Sequence, residues 1–192
     1  MKYLCQYDYG DIPYPTDMAH KNELFNNATI KQTGCGICSI CMLIDRLTLT
    51  EFTITECRDL SMEVGANLQP GTNMDILAPA VGKKFQLAYQ PSNDIAELMQ
   101  CLHHGGCAVV HISGDYDDYI GVFSHGGHYV VAISATDTEI CVLDPSWKKD
   151  KYEEKGRKGK VRQDGFYTYV SPDTIQQEVA RQKTHYYLFS RQ

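Results

Sequence analysis

Hydrophobic periodicity changes along this chain, and the change constrains the fold more than any other feature. The first half repeats apolar side chains at helical spacing, whereas the second half gathers them in short β-branched and aromatic runs. Ile37, Ile40, Cys41, Ile44 and Leu47 mark a buried helix that starts near Cys35. Thr53-Ile54-Thr55-Glu56 has the form of a capping box, followed by Cys57, Leu60 and Val64 on one stripe and by Gly65 as a stop. Asn73 and Ser92 are expected to cap two further helices, one carrying Ile76, Leu77, Ala80 and Val81, the other Ile95, Leu98, Met99 and Leu102. The runs 85–89, 108–112, 129–133, 140–143 and 166–170 are bounded by Gly, Asp, Pro or Ser and predict strands of one antiparallel sheet. Ser171-Pro172-Asp173 opens a helix with proline at its first position, and 185–189 returns as a last strand. Helices ahead of strands argue for an α+β fold, with N-terminal helices packed on an antiparallel sheet.

At 192 residues and 43% apolar composition, residues 1–192 are expected to form one domain around one core. A net charge of −6 and a pI near 5.6 give no electrostatic footprint for nucleic acid or an anionic membrane. The N-terminal residues contain no apolar run of signal-peptide length, and no stretch approaches the roughly 20 residues that span a bilayer, so a cytoplasmic chain without membrane insertion is expected. The eight cysteines read as reduced thiols, because a core of this size needs no disulfide staples. Segment 148–162 mixes eight basic with three acidic residues around Gly156 and Gly159 and predicts a mobile, solvated loop.

Two short segments carry chemistry. Thr33-Gly34-Cys35-Gly36 places a cysteine where a loop becomes a buried helix, and a helix N-terminus offers partial positive charge and free amides that favour a thiolate. The flanking glycines are expected to let a substrate carbonyl approach the backbone, with the Cys35 amide pointing into an oxyanion hole. In Gly126-Gly127-His128-Tyr129 a histidine opens a strand, and Asp144-Pro145 ends the next one. A hairpin through Ala135-Thr136-Asp137-Thr138 brings Asp144 beside His128, provided the paired residue numbers add to an even value; an odd register separates them unless a bulge intervenes.

Other residues invite blander readings. Cys35, Cys38 and Cys41 have an iron–sulfur or zinc spacing, but Cys38 and Cys41 fall on or beside the apolar stripe and are expected to pack. His103-His104 suits a helix C-terminus. His125 reads as an exposed turn histidine near the base, and 115–119 as a solvated connection.

Taken together, the Gly-Cys-Gly helix start, the Gly-His-Tyr strand and the Asp-Pro strand end resemble the bacteriocin-processing-peptidase-like members of the papain-like cysteine peptidases. Gln6-Tyr7-Asp8 and the Thr29-Ile30 to Gly34-Cys35-Gly36 segment extend the resemblance over nearly the whole chain. It implies a papain-like fold and a thiol hydrolase, in which Cys35 is the nucleophile, His128 its base and Asp144 the group that orients the base. It also implies a glutamine amide in the oxyanion hole: Gln6, with Gln32 as the competing candidate. The stretch from Gln6 to Cys35 is longer than is usual in papain-like enzymes, and Ile37-Cys38 stands where many relatives have Pro-Thr or Pro-Ser. A peptide or amide substrate is expected, with no metal and no cofactor. The alternatives are an amidase or acyltransferase on the same triad, for example on cell-wall peptides, and a non-catalytic binding domain on the same fold. Oligomeric state is not written in the sequence.

Overall fold

The computed structural model describes residues 2–192. Its strands are β1 (Leu87–Ser92), β2 (Cys107–Ile112), β3 (His128–Ala135), β4 (Ile140–Leu143), β5 (Val161–Asp164), β6 (Tyr167–Val170) and β7 (Tyr186–Arg191). They form one antiparallel sheet in the order β1-β7-β2-β3-β4-β6-β5. The helices are α1 (Glu23–Asn26), α2 (Ile30–Thr33), α3 (Cys35–Leu47), α4 (Ile54–Glu63), α5 (Met74–Phe85), α6 (Ile95–His103) and α7 (Pro172–Val179). None of them is long and apolar enough to cross a membrane.

The sheet separates two apolar clusters. Val109, Tyr129, Val131 and Leu143 pack toward α3, α4 and α5, while Val110, Val130 and Val142 pack toward α6 and α7. Strands covered on both faces lose the alternation of a half-buried sheet, which is why β2 and β4 read as continuous apolar runs. The α+β architecture is therefore as expected, with helices on both faces instead of the N-terminal ones alone.

Local sequence chemistry sets most boundaries. Both halves of the Thr53–Glu56 capping box are present at the start of α4. Pro172 opens α7 behind Ser171, whose Oγ accepts from the Thr174 amide at 3.2 Å. Asn73 caps α5, but its buried face is Met74, Leu77, Ala78 and Val81; Ile76 and Ala80 lie off it because the stripe starts from Met74. Asp94, not Ser92, caps α6, since its carboxylate accepts from Ala96 at 2.8 Å. Ser92 ends β1 instead and donates to Glu97. The first strand also begins later than expected: Phe85 closes α5, and Gln86, at φ 54°, turns the chain into β1.

Segment 148–162 differs from its expectation. Tyr152 and Arg157 are buried, and Arg157 donates through Nε to the Gly121 carbonyl at 2.9 Å. Lys160 donates to the Ile120 carbonyl and Lys151 to Asp144, so these cations pin the stretch to neighbouring segments before it feeds the edge strand β5, while Lys148, Lys149, Lys155 and Lys158 stay exposed.

Candidate active site

Helix α3 presents Cys35 at its first turn, where the backbone amides have no partner within the helix. Both flanking glycines are explained by packing. A Cβ on Gly34 would lie 2.6 Å from the Ile30 carbonyl, and one on Gly36 would lie 2.8 Å from the Thr72 side chain. Gly36 thus seats α3 against the loop before α5 and does not open the expected path for a substrate carbonyl. Around the cleft the open glycines are Gly126 and Gly127, just ahead of His128, and Gly71, which have nothing near their Cβ positions.

His128 opens β3, and the hairpin to β4 solves the register condition with a bulge. Near the turn, Ala135 faces Ile140 and Ser134 faces Cys141, an odd register that would put His128 and Asp144 on opposite faces. Ile133 is the extra residue; beyond it Ala132 faces Val142 and Val131 faces Leu143, an even register. On that side of the bulge the two side chains share a face, and His128 Nε2 donates to Asp144 Oδ1 at 2.8 Å. The other ring nitrogen, Nδ1, is left free of Asp144, and His128 lines one cleft with Cys35. Cys35, His128 and Asp144 are thereby brought to one place in the fold.

Asp144 is wholly buried, and its carboxylate accepts five hydrogen bonds. Oδ1 takes the His128 ring and both the amide (2.8 Å) and hydroxyl (2.9 Å) of Ser146; Oδ2 takes Lys151 Nζ at 2.5 Å and the Tyr152 hydroxyl at 2.8 Å. Ser146, Lys151 and Tyr152 were not singled out in the sequence. The available signal was Tyr152, the lone aromatic in a charged segment.

The electrostatics follow from these contacts. Burial pushes the Cys35 thiol up, but the His128 hydrogen bond and charge and the amides of Tyr129 and Gly36 outweigh it, so the thiol lies below its ordinary value. Burial pulls His128 down, yet Asp144 and Cys35 together push it up to about 9. Burial also opposes ionisation of Asp144, but Lys151 and His128 hold its carboxyl well below the usual range. The surroundings thus favour the charged form of each of the three groups, thiolate, imidazolium and carboxylate.

Gln6 is buried in the 3-10 turn Gln6–Asp8, with its amide hydrogen-bonded to the Pro145 carbonyl at 2.7 Å. Its Nε2 donates to the Lys31 carbonyl at 2.9 Å, in the short helix just ahead of Cys35. Gln32 is exposed, and its Oε1 accepts from the Thr29 amide at 2.8 Å as half of a capping box. Of the other histidines, His125 is exposed and tied to Asp115 at 2.9 Å. His111 lines the cleft, stacks on Tyr129 at 4.4 Å, and is pushed by burial down to about 4, so it is neutral where His128 is charged. His104 ends α6 with Nδ1 2.8 Å from the Gln100 carbonyl, the expected capping role. Cys38 and Cys41 are buried in the core.

A cleft of about 290 Å³ runs past Cys35 and His128 between Gly71 of the loop before α5 and Tyr187 of β7. It brings together the Cys35 thiol, the His128 imidazole and open backbone at Gly127.

No family model matches the sequence, and no curated protein matches it. Solved structures do. The peptidase domain of Streptococcus ComA, described as a bi-functional ABC transporter involved in quorum sensing, superposes with a TM-score of 0.54 at 14% identity, over 84% of this chain and 93% of that one. A Bacillus anthracis protein described as a C39-like peptidase superposes with a TM-score of 0.58 at 13% identity, over 100% of this chain and 99% of the other. The chain therefore has the fold of C39 peptidase domains, N-terminal helices against an antiparallel sheet, over essentially its full length.

Proposed function

We propose that this chain is a cysteine peptidase that cleaves amide bonds through a Cys35 acyl-enzyme. The observation that carries the reading is a thiol at the first turn of α3 lining one cleft with an imidazole that a buried carboxylate holds through Nε2. Likeness of fold to two structures described as peptidases supports it.

In this reading the Cys35 thiolate attacks the amide carbonyl, and the C–N bond breaks as imidazolium His128 gives its proton to the departing amine. His128, now neutral, takes a proton from water; the hydroxide attacks the thioester, and the Cys35 thiolate leaves with the acid released. Asp144 keeps the Nε2 proton in place and with it the ring orientation and tautomer. The oxyanion is held by the Cys35 amide and by Gln6, whose Nε2 has one hydrogen engaged with Lys31 and a second one to offer. Gln32 is committed to its capping box, which favours Gln6.

An electrophilic acyl probe followed by a peptide-library screen tests this. Stoichiometric labelling at Cys35 and library cleavage that vanishes in Cys35→Ala is the expected result. A protein whose cysteines all react slowly would overturn it. Labelling without peptide cleavage, but with turnover of small amides or acyl transfer, would assign the same residues to an amidase or acyltransferase.

A further inference from the structure

Lys151 occupies an unusual place. Its Nζ meets Asp144 Oδ2 at 2.5 Å and Ser146 Oγ at 2.6 Å, and only 8% of its side chain is exposed, so an ammonium has been brought out of water onto the carboxylate that holds His128. Nothing in the hydrolytic cycle calls for a second cation there. Packing alone would be better served by an apolar side chain, because burying a charge costs several kcal/mol before its partner repays it.

We propose that Lys151 is a positioning residue, the fixed counter-ion that lets Asp144 orient His128 without becoming its full electrostatic partner. The inference rests on His128 being the base. A lone buried carboxylate against an imidazole in a medium of low dielectric would hold the imidazolium strongly and resist the loss of its proton to the leaving amine. Lys151 offsets part of that attraction. Its contact with the carboxylate lies on Oδ2, so the ring keeps its bond to Oδ1. Tyr152 and Ser146 complete the carboxylate shell. The other titratable groups near this pair are Tyr3 and Cys5 of the N-terminal segment, Cys35 of α3, and Lys148 and Arg157 of the 148–162 segment.

The test follows the His128 imidazole resonances against pH in the Cys35→Ala protein, which removes the thiolate from the comparison, alone and combined with Lys151→Met or Lys151→Arg. Removing the cation is expected to raise the His128 midpoint by about one pH unit, the usual effect of a nearby charge, while Lys151→Arg leaves it in place. A residue that merely supports the fold would do the reverse: losing it would disorder Asp144 and let His128 fall toward its ordinary value. A midpoint that falls or stays fixed in Lys151→Met, or moves equally in Lys151→Arg, overturns the proposal. Should Lys151→Met not fold, the wild-type protein still decides. Its Lys151 ammonium protons should give a separate, slowly exchanging ¹H–¹⁵N signal at pH 6 that is lost in Asp144→Asn, and a signal merged with the surface lysines would sink the idea. An unactivated Cys35 in the wild type would instead overturn the peptidase reading and leave the ammonium signal untouched.

Discussion

Cys35 and Cys38 are one helical turn apart, yet their surroundings give them opposite chemistry. Cys35 is partly exposed beside His128, whereas Cys38 is fully buried and its thiol is pushed well above the ordinary value, mainly by burial. Cys35→Ala should abolish turnover with little change in urea midpoint; Cys38→Ala should keep Cys35 labelling and cost about 1–2 kcal/mol through the lost buried sulfur. The apparent pKa of Cys35, read from the pH dependence of its alkylation, should lie below the reference of about 8.5 and move upward in His128→Ala. Asp144 makes a second pH prediction. Its folded-state pKa is depressed, so its stabilisation is fully present above the unfolded value near 3.9 and is lost as pH falls below it. Asp144→Asn should therefore be less stable than the parent at pH 5, by about 3–5 kcal/mol because Lys151 is left uncompensated, and denaturant titrations should find the gap narrowing toward pH 2. Cys35 could be read from its glycines and the stripe behind it, and Asp144 from its place at a strand end. Lys151 could not, because its partner is reached only through the path of a loop that looked wholly solvated.

The register beyond the bulge at Ile133 puts His128 and Asp144 on one face. Composition gives no sign of it: β3 reads as an unbroken apolar strand, and parity is set by a backbone irregularity and not by residue type. Deleting Ile133 should remove the bulge while keeping Ala132 opposite Val142 and Val131 opposite Leu143, so His128 and Asp144 stay on one face and alkylation of Cys35 keeps its lowered thiol pKa; an ordinary thiol pKa would mean that the bulge itself, and not the parity it sets, is needed. The elements that were legible share one property, which is that local chemistry and burial agree. The α3 stripe, the Thr53–Glu56 box and the Ser171-Pro172 start are of this kind. Strand β5 was missed because its outer residues are exposed and polar, as befits a charged edge. The short turns and helices of residues 6–33 were missed because each is too brief to establish a period.

At the scale of the molecule, the site is assembled where segments from both faces of the sheet converge. Glu178 of α7, wholly buried, accepts from the amides of Val122 (2.7 Å) and Phe123 (3.2 Å) and from the Tyr119 hydroxyl (2.6 Å), anchoring the loop that leads into His128. Glu178→Gln should cost about 2 kcal/mol, since the new amide group turns a donor toward donors, and lower the melting temperature by roughly 4–8 °C. An unchanged melting temperature would show that the loop is held without it. The carboxylate shell has the opposite organisation. Asp144, Ser146, Lys151 and Tyr152 all come from one short contiguous stretch, so acid, counter-ion and cover travel together along the chain. In hydrogen-exchange terms the whole assembly falls within a single proteolytic fragment, and the protection of that one peptide becomes a gauge of site integrity that needs neither substrate nor turnover.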